Sequence, residues 1–257
     1  MGHAALLRVL LTFAALASMG VGVESASAST ARCPAPATCR AYVLDSYRWP
    51  AKAGAAVSIP YYVNNAEDQW LSTPQFVGAV KAAADVWMRA NPRIRLVYKG
   101  STTALPGIVD GLNVVGFGPP LLANEEAHAA IQETGGIITE EDMSIALNRT
   151  WTWMPCPQRN GGCSGNVRPI ATVPAVGEDV LTVRYEEIQG VIEHEFGHWL
   201  SLDHPPLPDG TSMTMNGTYG ADGSELHYQT LGLGDILGVR AAYPCIRKCP
   251  PVTVYSP

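Results

Sequence analysis

Two histidines four residues apart, with a glutamate beside the first, are the side chains of this chain best suited to metal chemistry. In His194-Glu195-Phe196-Gly197-His198, a helix would present both imidazoles on one face, because residues i and i+4 are neighbours there. Glu195 would lie about 100° around the same turn, close enough to take a proton from water without being a ligand. The pattern therefore predicts a metal site on a helix, with Glu195 as general base.

A third histidine, His204, lies six residues beyond His198. Six helical steps would turn its side chain roughly 240° away from the first pair, so it can reach the same ion only if the helix ends and the chain reverses. The prolines at positions 205 and 206 are typical of such an ending. Three neutral imidazoles give Zn²⁺ a tetrahedral site with one position left for water. The sequence therefore predicts one catalytic zinc ion on His194, His198 and His204.

Zinc beside a carboxylate is suited to peptide hydrolysis. The metal lowers the pKa of its water and polarises a peptide carbonyl, while Glu195 takes a proton from the water and delivers it to the leaving amine. We therefore expect a zinc metalloendopeptidase whose partners are polypeptide substrates. Two rivals stay open: a catalytically inactive binding protein of the same fold, and a zinc hydrolase whose third ligand is Glu225, the only glutamate after His204.

The elements around these residues predict an α+β domain. The helix that carries the first two histidines is expected to begin between positions 182 and 187, and a C-terminal helix to cover 230–243. An earlier helix should have Thr73 as its N-cap and Pro74 at its first position, and should end near Asn91. Strands are predicted at 57–64, 94–98, 113–117 and 142–148, and a long loop at 151–174, which is rich in Cys, Gly, Pro and Asn.

The run from His194 to His204 resembles the elongated zinc motif of the metzincin metalloproteases, H-E-x-x-H-x-x-G-x-x-H, and is closest to the matrixins among them. Downstream, Met-Asn-Gly-Thr-Tyr at 215–219 resembles the matrixin Met-turn, and 231–243 resembles the last helix of that family. The resemblance is strongest over 189–243 and extends more loosely back to Trp49. It implies a metzincin or zincin-like catalytic domain with a mixed twisted sheet, an active-site helix, a C-terminal helix and a Met-turn.

The resemblance also implies roles for single residues. The three histidines would bind zinc, and Glu195 would act as base and acid. Met215 would support the metal from below, with Met213 as the alternative for that turn. Tyr219 would border the pocket for the residue after the cleaved bond. Asp235, in an otherwise apolar helix, would be a buried partner of the turn.

Three further expectations concern substrate and metal. The stretch 142–148, with Ser144 and Ile145, takes the place of the family's upper edge strand, where a substrate pairs antiparallel; an ordinary solvated edge is the alternative.

Ser201 stands where the family has glycine, at a positive φ that ends the helix, and serine there costs about 1 kcal/mol but allows the turn. The residues of a second, structural zinc site are not visible between 111 and 142, so one zinc is expected, calcium stays open, and His128 and His227 are interpreted as surface histidines.

The first 28 residues have the layout of a secretory signal peptide. Arg8 precedes an uncharged apolar run at 9–23, which is followed by small residues up to Ala28. A transmembrane anchor is the alternative, but about 15 apolar residues are fewer than the ~20 that span a bilayer. We therefore predict cleavage after Ala28, a secreted, extracellular protein, and no stable membrane association.

The cysteines favour disulfides over a zinc ribbon, and the net charge argues against nucleic-acid binding. An even count of six is typical of disulfides in an exported chain, and a zinc ribbon is disfavoured because no close pair has C-x-x-C spacing. The close pairs are Cys33 with Cys39, Cys156 with Cys163, and Cys245 with Cys249, although the connectivity stays open. The net charge of −6, with 17 thinly spread basic residues, gives no patch for nucleic acid.

The predicted organisation is a single catalytic domain with short flanking segments. After a signal peptide at 1–28 we expect a short N-terminal segment at 29–40, the metzincin-like domain at 41–244, and a C-terminal tail at 245–257. A chain of this length can bury its core as one domain. We expect it to act as a monomer.

Overall fold

The helices and strands are taken from a computed structural model, which describes residues 39–66, 70–118, 125–147, 149–153, 170–173, 181–184, 186–207, 213–217 and 229–252, with only the backbone at 170–173, 181–184 and 186. The helices are α1 (Thr73–Ala90), α2 (Ile188–Trp199) and α3 (Leu233–Ala242). The strands are β1 (Val43–Leu44), β2 (Val57–Asn64), β3 (Ile94–Thr102), β4 (Val114–Phe117), β5 (Ala127–Thr134), β6 (Ile137–Ile145), β7 (Trp151–Thr152), β8 (Ile170–Val173), β9 (Leu181–Arg184), β10 (Glu186–Glu187) and β11 (Leu202–Asp203).

Five of these strands form the main sheet, in the spatial order β3-β2-β4-β6-β5. β2 runs parallel to β3 and β4, and β4 runs parallel to β6, whereas β5 is antiparallel to β6. Gly135 and Gly136 join β5 to β6, and their φ values of 61° and 79° suit the two-residue turn that connects antiparallel strands. The mixed sheet and the helices confirm the predicted α+β class, and β5 is one edge of the sheet.

The strand predicted at 142–148 was expected at the upper edge of the sheet, but residues 142–145 of β6 lie between β4 and β5, so that expectation is wrong. Ser144 pairs with Gly116 of β4 on one side and with His128 of β5 on the other. Ser144 is 7% exposed and Ile145 0% exposed, so neither offers its backbone to a substrate. The true edge, β5, escapes prediction because its sequence AHAAIQET is rich in alanine and poor in the β-branched and aromatic residues that favour strands.

The helix boundaries differ from the expected ones by a few residues. Ser72 rather than Thr73 is the N-cap of α1, and its N–H and hydroxyl lie 3.1 and 2.8 Å from Gln75 Oε1. α2 begins only at Ile188, because Leu181–Arg184 form β9 and Glu186–Glu187 form β10. β9 pairs antiparallel with β8, so the end of the stretch expected to be a loop is a strand.

α1 and α2 pack against each other through a buried core. The inward side of α1 includes Phe76, Val80 and Trp87, each at most 1% exposed. The indole Nε1 of Trp87 donates to the backbone oxygen of Glu193 in α2 at 2.8 Å. α1 thereby fixes the helix that carries the histidine pair.

The two ends of the described domain meet at the segment that follows α2. β1 pairs antiparallel with β11, which lies directly after that helix. Asn91, just after α1, donates from Nδ2 to the backbone oxygens of Val239 (3.0 Å) and Tyr243 (2.8 Å) at the end of α3. The Tyr243 hydroxyl also lies 3.0 Å from the Ser201 hydroxyl, so β1 and the end of α3 both contact the segment that leads to the third histidine.

The C-terminal part contains a disulfide between Cys245 and Cys249, one of the three close pairs in the sequence. Cys39 is also disulfide-bonded. The cysteines at 33, 156 and 163 lie outside the described residues, as does the predicted signal peptide. None of the helices in the described ranges combines the length and apolar character needed to cross a bilayer.

Candidate metal centre

The three histidines converge on one point. The Nε2 atoms are 2.9 Å apart in His194 and His204, 3.2 Å apart in His194 and His198, and 3.2 Å apart in His198 and His204. A tetrahedral zinc ion, with Zn–N distances of about 2.0–2.1 Å, needs its nitrogen ligands about 3.3 Å apart. The three imidazoles can therefore hold a metal ion, and the described residues contain no other His, Cys, Asp or Glu group with this property.

Two of the imidazoles are oriented by backbone carbonyls. His194 Nδ1 lies 2.5 Å from the oxygen of Thr214, and His198 Nδ1 lies 2.8 Å from the oxygen of Leu202. A carbonyl can only accept, so each Nδ1–H donates and each Nε2 keeps a lone pair directed at the shared point. The fold therefore sets the tautomer that a metal ligand needs.

Ser201 reverses the chain after α2. Its φ is +65°, the only positive φ among the described non-glycine residues. Its N–H donates to His198 O at 2.7 Å, and its buried hydroxyl lies 3.0 Å from the hydroxyl of Tyr243. A left-handed conformation costs a residue with a side chain about 1 kcal/mol or more, and these hydrogen bonds offset that cost. Serine in place of glycine thus still brings His204 to the other two histidines.

The N-terminal segment fixes the direction in which the reversed chain leaves. The Asp45 N–H donates to the Ser201 oxygen at 3.0 Å. The indole of Trp49 donates to the Trp199 oxygen at 2.8 Å, and the Trp49 N–H donates to the Tyr243 hydroxyl at 3.1 Å. The end of α2 is therefore held by a segment about 150 residues earlier in the chain.

A tight turn at 213–216 packs against the histidine-bearing helix. The turn is closed by a hydrogen bond of 3.0 Å from Asn216 N–H to the oxygen of Met213. The Met215 sulfur packs so closely on Gly197 that a methyl group added there would lie 2.0 Å from it. Met213 instead packs near Gly234 in the first turn of α3. Of the two candidate methionines, Met215 is the one in contact with α2.

Asp235 holds this turn through backbone hydrogen bonds. Its carboxylate accepts from the N–H groups of Thr214 (3.1 Å), Met215 (3.2 Å) and Gly232 (2.8 Å). The side chain is 1% exposed; burial raises its pKa to about 6, and the N–H donors oppose the rise. Because the Thr214 carbonyl orients His194, Asp235 supports the metal centre through that turn.

Glu195 lies in the same cavity as the three histidines and is 5% exposed. Burial, followed by the negative charge of Glu125, raises the pKa of Glu195 to about 8. A hydrogen bond from the backbone N–H of Ala129 in β5 opposes the rise. A carboxyl group whose pKa lies near neutrality can both accept and return a proton around pH 7.

The first two histidines are neutral in this environment. Burial, and then the neighbouring imidazoles, lower the pKa of His194 well below its usual value. The same causes lower the pKa of His198 to about 4. Metals bind neutral imidazole, so at pH 7 no proton has to leave these two side chains before an ion binds.

A cavity of about 450 Å³ opens over the histidines. This volume falls within the range of about 300–1,000 Å³ typical of ligand sites. His128, interpreted from the sequence as a surface histidine, has a side chain that is 30% exposed and lines the cavity, 3.7 Å from Glu125. The wall formed by β5 and the residues before it includes Glu125, Glu126, Ala127, Ala129 and Ile131, and Tyr47 and Gly217 complete the lining.

Other residues singled out from the sequence either lie away from the described walls of this cavity or are outside the described residues. Ser144 and Ile145 are buried inside the sheet and do not line it. Tyr219, the rival ligand Glu225 and His227 lie outside the described residues.

Two glycines of the centre were not recognised from the sequence. Gly197 allows the close approach of Met215, and a methyl group added at Gly217 would lie 2.9 Å from His204 Nδ1. A glycine within a helical pattern, between two ligands, is a signal of close packing that could have identified Gly197. The pair Gly135-Gly136 is likewise a hairpin signal that could have identified β5.

No protein-family model matches this sequence, and no curated protein matches it either. The geometry of the metal centre is therefore the basis on which a function can be proposed.

Proposed function

We propose that the chain is a metzincin-like, zinc-dependent endopeptidase. The observation that carries this proposal is the convergence of three imidazoles in a cavity that also contains the buried carboxyl group of Glu195. Structural zinc sites usually fill all four positions with protein ligands, whereas catalytic sites keep one open. A three-histidine set next to a proton acceptor is suited to hydrolysis.

Zinc is the ion that we propose for the centre. Neutral imidazoles at this spacing suit a tetrahedral ion, and two of them are oriented from behind by backbone carbonyls. When bound, zinc would lower the pKa of a water molecule and polarise the carbonyl of the bond to be cleaved. One such ion is sufficient for the proposed chemistry, and the proposal includes no calcium.

Glu195 is the proposed general base and general acid. Its carboxylate takes a proton from the attacking water and later donates it to the nitrogen of the leaving amine. The Ala129 N–H restrains this carboxyl group on the side of β5. A general base of this kind contributes about 10²–10⁴-fold to the rate.

An extended polypeptide is the proposed substrate, and β5 is the strand on which it would lie. Among the described strands, β5 is bonded only to β6, and its first residues line the cavity. Pairing at a sheet edge uses main-chain groups, so it accepts segments of many sequences. Edge pairing next to the metal centre therefore favours cleavage within chains rather than hydrolysis of small molecules.

The proposal is tested with the purified mature chain and casein. We expect the chain to cleave casein, and mass spectrometry of the products measures this cleavage. A zinc chelator should stop the cleavage, and added zinc should restore it. Glu195→Gln should keep one zinc per chain, measured by elemental analysis, while its rate falls at least about 100-fold. Glu133→Gln is the matched control, because this exposed residue lies at the far end of β5, and its activity should not change.

The outcomes separate the proposal from its rivals. Full activity in Glu195→Gln would remove this residue from the mechanism. A wild-type chain that binds zinc but cleaves nothing would instead favour the inactive binding protein. Zinc loss in Glu225→Ala but not in His204→Ala would favour the other zinc hydrolase.

Secretion is part of the proposal. The disulfide between Cys245 and Cys249 is typical of an oxidising compartment outside the cytosol. Protein recovered from the medium of an expressing culture should begin at Ser29, measured by mass spectrometry of the intact chain. Recovery only from the cytosol, with Met1 retained, would contradict this part of the proposal.

A further inference from the structure

We infer that the cleft selects polypeptides with lysine or arginine on the C-terminal side of the bond to be cleaved. This inference rests on the proposed endopeptidase function and names a class of substrate for it. Glu125 and Glu126 are the specificity-determining residues, because both line the cavity that contains the metal-binding histidines and Glu195.

The two glutamates lie at the beginning of the edge strand. The oxygen of Glu126 accepts from the Ala146 N–H at 2.9 Å, so the ladder between β5 and β6 already fixes the backbone at this position. Glu125 precedes it, and its carboxylate lies 3.7 Å from His128 Nδ1. The backbone that carries both glutamates is therefore anchored at the start of β5, and both residues line the cavity.

The direction of β5 determines whether Glu125 and Glu126 face the substrate residues before or after the bond to be cleaved. A substrate that pairs antiparallel with β5 runs from the Ile131 end towards Glu126. The Ala129 N–H, which lies between these two residues in the chain, binds the Glu195 carboxylate beside the metal centre. Substrate residues that follow the reacting bond would consequently pass Glu126 and then Glu125.

The described walls of the cleft contain two acidic side chains beside Glu195. Neither lysine nor arginine is among the described residues that line the cavity, whereas Glu125 and Glu126 both are. The side chain of Glu125 is 26% exposed, which leaves it accessible to substrate but partly shielded from water. A partly shielded carboxylate attracts a cation more strongly than a fully solvated one, and it repels a second carboxylate for the same reason.

Cleavage of a diverse peptide mixture tests the inference. Mass spectrometry of the products should show lysine and arginine enriched at the first three positions after the cut. Matched peptides with lysine there should exceed those with alanine about fivefold in kcat/KM, which corresponds to about 1 kcal/mol. The Glu125→Gln/Glu126→Gln double variant should lose this preference but still cleave the alanine peptide, and Glu133→Gln should keep the preference.

A binding measurement separates failure of the inference from failure of the proposed function. Zinc-loaded Glu195→Gln protein is titrated with a fluorescent peptide carrying two lysines and with its two-glutamate counterpart. Cleavage without any basic preference would overturn the inference and leave the proposed function intact. Tighter binding of the lysine peptide, lost with both glutamates replaced, would support the inference even without hydrolysis. Equal binding of both peptides would overturn it.

Discussion

Two turns of this molecule are each held by a buried carboxylate that accepts hydrogen bonds from backbone N–H groups. Asp235 on α3 holds the turn that contains Met215. Asp142 on β6 holds the loop before β4, through the N–H groups of Gly107 (2.7 Å) and Val114 (2.8 Å). Both side chains are at most 2% exposed, and burial raises the pKa of each to about 6. By burial, pKa and type of hydrogen bond, the two carboxylates are nearly equivalent.

The two backbone segments differ in whether they contact the metal centre. The turn held by Asp235 offers the Thr214 carbonyl to His194 and places Met215 against Gly197. The loop held by Asp142 contains none of the three histidines. A buried carboxylate therefore does not reveal by itself whether it supports a site, and the next contact along the chain decides this.

The largest expected effect comes from Asp235→Ala. Three N–H groups would lose their acceptor, and each buried donor left unpaired costs about 1–3 kcal/mol, so we expect the free energy of unfolding to fall by at least about 3 kcal/mol. Zinc affinity should fall about 10- to 100-fold, because His194 loses its support. Denaturant unfolding of the metal-free chain and competition with a chromophoric chelator measure the two effects. A folded variant with wild-type zinc affinity would contradict the proposed link.

Asp142→Ala is the matched change in the other region. Two N–H groups lose their acceptor, so we expect a loss of about 2–4 kcal/mol in the free energy of unfolding. Zinc affinity, measured by the same chelator competition at a temperature where the variant is folded, should stay within about twofold of wild type. A tenfold loss of affinity would show that the loop and the metal centre are coupled, which would break the comparison.

Two glycines extend the comparison to smaller effects. In Gly197→Ala the new methyl group would meet the Met215 sulfur and the Trp87 ring, so we expect a loss of about 1–2 kcal/mol together with weaker zinc binding. In Gly111→Ala nothing lies within 4 Å, but the φ of +82° is strained for alanine, so about 1 kcal/mol is lost with no change in zinc binding. Equal zinc affinities in the two variants would remove the role given to the Met215 contact.

The last expected effect is on the pH dependence of stability. A carboxyl group whose folded pKa is about 6 adds stability that is complete below its usual pKa near 3.8 and is lost as the pH rises through 6. Asp142→Asn removes this titration, so the variant should gain stability relative to wild type between pH 4 and 6, by at most about 1.4 kcal/mol per pH unit. Asp235→Asn should give the same slope, measured by denaturant unfolding of the metal-free proteins.

The stability contribution of His198 changes with pH in the opposite direction, and it serves as an internal reference for that experiment. His198, whose folded pKa is about 4, adds stability that is complete above its usual pKa near 6.5 and is lost as the pH falls through 4. Both aspartate variants retain this contribution. A different slope in the two variants would show that the carboxylates are not equivalent.

Local patterns predicted the three helices and four of the five strands of the main sheet. β2 has the expected bounds, and α1 and α3 lie within three residues of theirs, because hydrophobic periodicity and capping residues act over a single turn or strand. The edge strand β5 was missed because an alanine-rich strand is stabilised by its pairing with β6 rather than by its own propensity. That pairing also explains why Ser144 and Ile145 are buried rather than available to substrate.

The sequence by itself determined the spacing of His194 and His198, because a helix of any origin brings residues four apart to one face. It could show that the chain must reverse after α2, but not where His204 would then lie. That position depends on Trp49, which contacts Trp199 and Tyr243 across 150 and 194 residues of chain. Contacts between segments so distant in sequence form only when the whole domain packs, so the tertiary structure alone decided that three histidines share one point.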